Sequence, residues 1–330
     1  MKKRQFLQSC ASVAAFPWLT PPAHSQTRRK LSIIVPFSPK GVSSLLAESL
    51  CKQLPTQDFS ACEVEHIPGM TNMVATRTLL KRAHEADSTV MIAGPSVFTV
   101  GQHLNPFMSV NPAEDLVMLA PLMKGAMVVI TSARSGLDTW EKLAATPGPK
   151  KCGVTGLGSP SHVVAAYIDS SLFSLGSAYM ADGDLPAIER VIKGELSSAV
   201  VSIGSCRNHL NGPLNFILSS SSDPIAWPDG RVTPTLPEVA AQRRATSFAF
   251  DNWLAVVGPK NMDPQLIQWL QERLMTAKST APVGGLIRAL LHDPLNISPQ
   301  EMSARIQDNA QRWGDYVNRL QLNQALNLDL

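Results

Sequence analysis

The sequence predicts an α/β fold with two lobes. Apolar, strand-like runs alternate with helix-like segments along most of the 330 residues, which is typical of layered α/β proteins. Two strand–loop–helix segments, residues 31–50 and 151–166, carry Gly, Pro and hydroxyl side chains in the loop. Such a loop turns the free N–H groups of a helix start towards open space, where an anion is favoured. Two such loops, far apart in sequence, indicate a cleft between two lobes that binds a small carboxylate.

The elements follow from apolar periodicity and from the Gly and Pro residues between them. In the first part we expect strands at 31–35, 62–66 and 89–93, helices at 44–54 and 72–83, a turn at 111–116, and extended chain at 117–122 and 127–131. Further along we expect helices at 139–145, 161–172 and 185–193, strands at 152–155 and 198–203, a loop at 204–210, extended chain at 216–218 and a polar surface stretch at 219–235. A short turn or helix at 236–239, a strand at 248–257 and helices at 264–279, 281–291 and 299–320 complete the chain.

The first 25 residues are typical of an export signal. Lys2, Lys3 and Arg4 precede a mostly apolar stretch at 6–19, and 23–25 is a small-x-small cleavage pattern, so we expect cleavage near Ser25 and an exported protein. The second Arg of a twin-arginine signal is missing, which leaves the ordinary secretory route open. Prolines interrupt the apolar stretch, and no later segment has the length of a membrane span.

Charge and composition exclude several classes of partner. Without residues 1–25, Lys plus Arg falls from 29 to 26, which equals the 26 Asp plus Glu. A near-neutral protein is a poor candidate for binding nucleic acid or an anionic membrane surface. The chain is 44% hydrophobic and 17% charged, an ordinary globular composition.

Four cysteines remain after cleavage, namely Cys51, Cys62, Cys152 and Cys206. An exported protein forms disulfides readily, and Cys51 and Cys62 can pair between a helix end and the next strand. Three pairings of four cysteines are possible, so the pattern leaves the pairing open. No CxxC is present and the seven histidines are scattered, so we expect no metal site and no cofactor. The nucleophile, P-loop, HExxH and GxGxxG motifs are absent, and we expect no catalytic residue and no enzyme activity.

Two loops are the main candidates for binding the carboxylate. In the first, main-chain donors and hydroxyls act together, and the alternative interpretation is a plain helix cap at Ser43 or Ser44. In the second, glycines permit close approach, and the alternative is a tight turn with His162 as a capping or packing residue. The candidate residues of the two loops are Ser38, Lys40, Gly41, Val42, Ser43, Ser44, Thr155, Gly156, Gly158, Ser159 and His162. Gly69, Thr71, Asn72, Ser96 and Ser205 are further candidates because they follow other predicted strands.

Motifs in a shared order along the chain give a specific resemblance. They are the Ile34–Pro39 segment IVPFSP, then Glu65, Pro68, Gly69 and Asn72, then Asn111-Pro112 and Glu114-Asp115-Leu116, Gly156, Gly158, Ser159, Ser161 and His162, Pro186-Ala187-Ile188, Gly194-Glu195-Leu196, the segment PTLPE at 234–238, Trp253, Gly258-Pro259 and Arg312-Trp313-Gly314. In these motifs the chain resembles the Bug-type periplasmic receptors of tripartite tricarboxylate transporters over nearly all of its predicted mature length.

The resemblance implies a type II periplasmic-binding-protein-like fold, in which two α/β domains enclose a ligand cleft and are joined by two crossovers. The first lobe would comprise residues 26–125 plus 251–330, and the second 126–250. A small organic acid would bind between the lobes, and closure would present the receptor, a monomer, to a membrane permease. The alternative is a degenerate homologue that acts as a ligand sensor or a protein-interaction module.

The chain departs from the family pattern in the loops themselves. Lys40-Gly41 and Ser44 replace two glycines and a later Asp, Met70 and Thr71 replace small residues, Ala181-Asp182 replaces Tyr-Lys, and Val201 replaces a strand-end Asp. Asp182 and Asp184 would repel a carboxylate if they faced the cleft. The ligand set is therefore expected to differ from the usual one.

Overall fold

The computed structural model describes residues 28–37, 39–69, 72–84, 88–100 and 110–307. Its long mixed sheet has the strand order β2-β1-β3-β11-β4-β7-β5-β6, with β8 and β12 also paired to β4. The strands are β1 (Arg29–Val35), β2 (Phe59–His66), β3 (Ser88–Ala93), β4 (Leu116–Ser132), β5 (Lys151–Val154), β6 (Ser177–Met180), β7 (Ser198–Ser202), β8 (Leu214–Ser219), β9 (Ile225–Ala226), β10 (Val232–Thr233), β11 (Asp251–Pro259) and β12 (Asp293–Pro294).

Helices cover the sheet, as parallel strands with buried faces require. They are α1 (Val42–Gln53), α2 (Met73–Lys81), α3 (Pro112–Asp115), α4 (Trp140–Ala145), α5 (Pro160–Ser171), α6 (Asp184–Lys193), α7 (Leu236–Arg243), α8 (Pro264–Lys278) and α9 (Ala281–Ala289), and the chain is helical again at 299–307. Short 3-10 turns follow α2, β4 and β7, and a π-helical turn spans Ser96–Val100.

The first lobe is built on parallel pairing of β1 with β2 and β3, and β11 runs antiparallel to β3. Every residue of β3 is buried, so this strand lies at the centre of the lobe. One side of the sheet packs against α1, α8 and α9 through residues such as Leu46, Leu274 and Ile287. The other side packs against α2 and the 299–307 helix, with Leu79 and Met302 in its core.

The second lobe repeats this arrangement. β5 pairs in parallel with β6 and β7, while β7 and β8 pair antiparallel to β4. One core contains Val163 and Ile168 of α5 together with the aromatic ring of Phe250. A second core on the other side of the sheet contains Ile188 and Val191 of α6. Apolar clusters on both faces of each half of the sheet make each lobe a layered α/β unit.

β4 is the element that both lobes share. Its first part pairs with β11 from Leu116 to Ala126, and its last part pairs with β7 and β8 from Met127 to Ser132. The chain therefore passes between the lobes along β4 and returns at the start of β11. This arrangement and the structural similarities described below confirm the predicted two-lobed fold class with two crossovers.

Several predicted elements differ from the structure. The two extended segments at 117–122 and 127–131 are one strand of 17 residues, because the intervening Lys124 and Gly125 stay in the ladder with β11. The strand β6 was missed, since it is short and only half-buried. The predicted helix at 299–320 is described only as far as residue 307.

The stretch 219–235 is not only a polar surface segment, and that prediction was wrong in part. It contains the β9–β10 hairpin, which brings Trp227 inward. The Trp227 ring lies 4.7 Å from the Phe216 ring, and its indole N–H donates to Thr233 Oγ1 at 2.9 Å. Burial of this ring closes the core beneath α6.

A disulfide joins Cys51 at the end of α1 to Cys62 in β2, which confirms the pairing that the sequence left open. It ties the first lobe's leading helix to an outer strand. Cys152 and Cys206 are free thiols, and both are buried. Within the part of the chain that the structure describes, no helix combines the length and the apolar character needed to cross a bilayer.

Candidate functional site

Three strands of the first lobe end side by side. β1, β2 and β3 are parallel, so the loops that follow them share one edge of the sheet. We call this the first edge and define it by the described residues of 36–44, 67–72 and 94–97. In open parallel sheets, ligands bind at the carboxyl ends of the strands.

The first loop of this edge places a lysine at a helix start. Lys40 has φ 71°, a left-handed conformation that side chains other than Gly rarely adopt, and its side chain is exposed. Gly41 is the N-cap of α1, so no side chain of the cap residue occupies the first N–H groups of the helix. The helix begins at Val42, and the alternative that Ser43 or Ser44 caps it is wrong. Both serines, like Val42, are buried inside the first turn.

Side chains from separate loops meet at the first edge. The Ser44 hydroxyl lies 2.7 Å from Nε2 of His66, the last residue of β2. The side-chain amide of Asn72 donates to Ser96 Oγ at 2.6 Å, and both residues are buried. Asn72 has φ 71° and is the N-cap of α2, yet its side chain does not cap that helix. The contacts fix the relative positions of the loops after β1, β2 and β3.

The second-lobe loop after β5 is held by its own hydrogen bonds. Ser161 Oγ accepts from the Thr155 N–H at 2.8 Å, and it lies 2.9 Å from both Thr155 Oγ1 and Ser159 Oγ. Ser159 Oγ also donates to the carbonyl of Gly156 at 2.7 Å and accepts from the His162 N–H at 3.2 Å. The hydroxyls of this loop are therefore engaged within it, and Ser159 caps α5.

His162 completes the loop as a structural residue. Its Nδ1 accepts the Gly158 N–H at 3.1 Å, and its ring is buried. Burial lowers the pKa of His162 to about 4, so the ring is neutral at pH 7. This agrees with the capping and packing interpretation. Gly156 leaves its surroundings open, because a Cβ added there would have no heavy atom within 4 Å.

An acidic residue lies at the start of α6. Asp184 is the first residue of the helix, and its Oδ2 accepts from the Ser205 hydroxyl at 2.6 Å and from the Ser202 N–H at 3.3 Å. Burial raises the pKa of Asp184 to about 6, and the two hydrogen bonds limit that increase. Oδ1 accepts no hydrogen bond from any residue that the structure describes. The neighbouring Asp182 is exposed.

These second-lobe groups also share one edge. β5, β6 and β7 are parallel, and we call the residues after their carboxyl ends, 155–159, 181–184 and 203–209, the second edge. β3 is parallel to β4, because β11 is antiparallel to both. β7 is antiparallel to β4. The first edge therefore points towards the second lobe, and the second edge points back towards the first.

The register measures the gap between the two edges. Ala93, at the end of β3, pairs with Ala255 of β11, which pairs in turn with Pro121 of β4. Ser202, at the end of β7, pairs with Met127 of β4, six residues further along that strand. Six residues of an extended strand span about 20 Å. The two loops predicted to bind the carboxylate are thus placed on facing edges of one cleft.

A buried histidine forms the floor between the edges. The His292 ring lies between Gly125 of β4 and Gly204, where added Cβ atoms would lie 2.2 Å from Cδ2 and 2.5 Å from Cε1. Nδ1 is 2.5 Å from the carbonyl of Leu290 and therefore donates to it, which leaves Nε2 to accept from the Ser202 hydroxyl at 3.3 Å. Burial lowers the pKa of His292. The segment that follows α9 thus contacts the second lobe where β4 passes between the lobes.

The sequence-predicted site residues divide between the two edges. Lys40, Gly41, Gly69, Asn72 and Ser96 belong to the first edge, with Val42, Ser43 and Ser44 at its buried helix start. Thr155, Gly156, Gly158, Ser159 and Ser205 belong to the second, with His162 one turn into α5. Ser38 and Thr71 lie outside the described residues. No group of three or more possible metal ligands occurs within the described ranges.

Four residues at the edges were missed as parts of the site. Ser161 is the centre of the second-lobe loop, His66 holds Ser44, and Ser202 and His292 link Asp184 to the junction of the two lobes. His66 ends a predicted strand, Ser202 is the next-to-last residue of another, and Ser161 belongs to the motif at 156–162, so strand ends and that motif were the available signals. His292 carries no such signal, because its partner Ser202 is 90 positions away in the sequence.

The fold and the two facing edges define a two-lobed periplasmic-binding-protein-like fold with an interlobe cleft. A family model described as "Tripartite tricarboxylate transporter family receptor" matches residues 43–322. The chain belongs to this family, and the resemblance inferred from the motifs is confirmed. Members of the family are solute receptors.

Individual relatives agree with this assignment. BugT of Bordetella pertussis is 24% identical over 301 residues, which cover 89% of this chain and 90% of BugT. An R. palustris protein solved with adipate superposes with a TM-score of 0.78 at 17% identity, over 89% of this chain and 97% of that one. MatC from Rhodopseudomonas palustris with bound malate gives 0.74 at 16% identity, over 88% and 99%. At such identities these structures establish the fold.

Proposed function

We propose that this protein is a periplasmic receptor that binds a small organic acid between its two lobes and delivers it to the membrane permease of a tripartite tricarboxylate-type transporter. The main support for the proposal is that the two edges face each other along β4. Both predicted loops therefore border the same cleft. Relatives with bound adipate and malate support a carboxylate as the ligand. Cleavage of the first 25 residues would place the receptor in the periplasm.

The first edge is the side we assign to the carboxylate. The N-terminus of α1 has a glycine as its cap, and the helix dipole favours a negative charge there. Lys40 lies directly before that cap with an exposed ammonium group, and Asn72 opens the next helix of the edge. A cation beside free N–H groups is a suitable set of partners for a carboxylate.

The second edge then forms the opposite wall. Thr155 and Gly156 are partly exposed there, while Ser159 and His162 maintain the shape of the loop. We propose that ligand binding favours the closed arrangement of the lobes, by hinge motion at β4 and β11. Closure would present a surface of both lobes to the permease, and no catalysis is needed for this function.

The test is a thermal-shift screen of the mature protein against mono- and dicarboxylates, amino acids and aromatic acids, with calorimetry on each compound that raises Tm. A ligand at 100 times its Kd stabilises the native state by about 2.7 kcal/mol. For the best compound, Lys40→Ala should weaken binding about 5- to 10-fold, which corresponds to roughly 1 kcal/mol for a solvent-exposed charged contact.

Lys52→Ala is the matched control, because Lys52 is an exposed lysine at the opposite end of the same helix. Its affinity should stay within about twofold of the unaltered protein, since its charge is far from the edge. Equal losses for both variants would refute the assignment of the carboxylate to the first edge. If no acid raises Tm, the receptor function is refuted and the sensor or interaction role is favoured.

A further inference from the structure

The acidic residue at the second edge has a geometry that the proposed function does not use. Asp184 takes two hydrogen bonds on Oδ2, from the Ser202 N–H and the Ser205 hydroxyl. These bonds fix the carboxyl group at the carboxyl end of β7, on the edge that faces the first lobe. Oδ1 is left without a hydrogen-bond partner in the described part of the chain. The second edge therefore has a carboxyl group whose orientation is fixed and whose Oδ1 is available as an acceptor.

The same bonds remove donors from the second edge. The Ser202 N–H lies at the end of β7 and the Ser205 hydroxyl in the 3-10 turn that follows it, where a ligand carboxylate would otherwise find partners. The protein's own carboxylate occupies them. In the loop after β5, Ser159 and Ser161 are engaged with each other. A second anionic group of a ligand at the end of β7 would find these donors occupied and the Asp184 carboxylate beside them.

Each edge of the cleft has an exposed apolar side chain on it or next to it. Among the described residues, large hydrophobic side chains are exposed at Phe37, Val74, Leu185 and Val232. Phe37 and Val74 belong to the first edge or the helix start beside it, and Leu185 follows Asp184 directly. Apolar groups on both sides of a cleft suit a hydrocarbon segment between the two polar ends of a ligand.

We infer that Asp184 determines ligand class: in the closed arrangement of the lobes, the ligand has one carboxylate at the first edge, a short apolar segment, and an amide or ammonium N–H that donates to Asp184 Oδ1. The inference rests on the proposed function and adds the chemistry of the ligand's other end. A dicarboxylate of the same length is disfavoured, because its second carboxylate would face an acceptor that carries negative charge at pH 7.

Matched compounds of equal chain length test this directly. Calorimetry at pH 7.5 compares succinate, glutarate and adipate with their monoamides and with the corresponding ω-amino acids. We expect at least one monoamide or amino acid to bind 10-fold or more tightly than its dicarboxylate. Comparison of the monoamides with the amino acids distinguishes a neutral N–H donor from a charged ammonium donor. If the dicarboxylate binds as well as both of its partners at every chain length tested, the inference is overturned while the receptor function stays intact.

The Asp184→Asn variant replaces the hydrogen-bond acceptor Oδ1 with a donor. Its amide oxygen can still accept from Ser202 and Ser205, and its NH₂ group then replaces Oδ1. The preference for the N–H compound over the dicarboxylate should fall at least 10-fold or invert. Asp182→Asn is the control, since it removes an equal charge from an exposed residue two positions away, and its preference should change less than threefold.

Two further measurements separate folding from recognition. Circular dichroism and the thermal midpoint establish that each variant is folded, and the comparison of compounds on the unaltered protein stands without any variant. Equal changes in preference for Asp182→Asn and Asp184→Asn would overturn the role of Asp184 and indicate a general charge effect. If none of the compounds or other acids binds, the proposed function itself fails.

Discussion

The two edges of the cleft are built from the same elements and end with opposite chemistry. On the first edge, α1 begins after a glycine cap beside the exposed Lys40, so the helix start offers donors and a positive charge. On the second edge, Ser159 caps α5, and α6 begins with Asp184 after the glycine cap Gly183. The two glycine-capped helix starts therefore differ in the charged residue beside them, which is the cation of Lys40 at α1 and the carboxyl group of Asp184 at α6.

This contrast separates two loops that sequence motifs alone make equivalent. Both loops carry hydroxyls and glycines, and both were predicted to bind a carboxylate. The two loops differ in the partners of their side-chain hydrogen bonds. Ser161 bonds to Thr155 and Ser159 within its own loop, whereas Ser44 and Asn72 bond to residues after or at the end of other strands. Hydrogen bonds formed within a loop are not available to a ligand.

His292 fills the space between the two lobes at the middle of β4. An alanine Cβ at position 125 would lie 2.2 Å from Cδ2 of His292, whose ring is also confined by Gly204. Gly125→Ala should lower the free energy of unfolding by about 3 kcal/mol, because overpacking a filled site forces the ring or the strand to move. Urea unfolding followed by fluorescence measures the loss.

Two variants check the cause. Gly285→Ala, in α9 with no atom within 4 Å of the added Cβ, should be neutral or stabilising. In the double variant Gly125→Ala, His292→Ala, the added methyl group finds space, so the two losses should not add. Additive losses would show that the ring does not confine position 125.

Much of the fold could be predicted from apolar periodicity. β1, β3 and β7 are buried runs bounded by turn residues, and their predicted bounds are close to the observed ones. β6 could not be predicted, because the segment SAYM is short and lacks a buried face. The continuity of β4 through Gly125 depends on its ladder with β11, a contact between residues far apart in sequence.

The candidate site was predictable in its position but less so in its chemistry. Residues after predicted strands do gather at the two edges, since parallel strands bring their carboxyl ends together. The direction in which Asp184 points depends on Ser202 and Ser205, which are 18 and 21 positions away. The sequence could state only that this acid would oppose a carboxylate if it faced the cleft.

Asp184 should make the free energy of unfolding decrease as the pH rises. Burial raises the pKa of Asp184 to about 6, whereas an unfolded Asp titrates near 3.9. Protonated Asp184 contributes fully to the free energy of unfolding below about pH 4, and this contribution is lost as the pH rises through about 6. Relative to the unaltered protein, Asp184→Asn should therefore gain about 2 kcal/mol between pH 4 and pH 8.

The measurement is the difference in unfolding free energy between the two proteins at each pH. Other carboxyls titrate in both proteins and cancel, including Glu65, whose pKa is lowered by its hydrogen bond to Arg82. Asp182→Asn should show no such gain, because that residue is exposed. A constant difference between Asp184→Asn and the unaltered protein across this range would contradict a buried, destabilised carboxylate at the second edge.

The smallest expected effect separates stability from binding at the second-lobe loop. Ser161→Ala leaves the Thr155 N–H without its acceptor and removes two hydroxyl contacts, which should cost about 1–2 kcal/mol of unfolding free energy. Ser171→Ala, at an exposed position near the end of the same helix, should change stability by less than about 0.5 kcal/mol. Because Ser161 Oγ is engaged within the loop, ligand affinity of the folded variant should stay within about threefold. A large loss of affinity without a loss of stability would instead place the Ser161 hydroxyl in contact with the ligand, and the contrast between the two edges would fail at this loop.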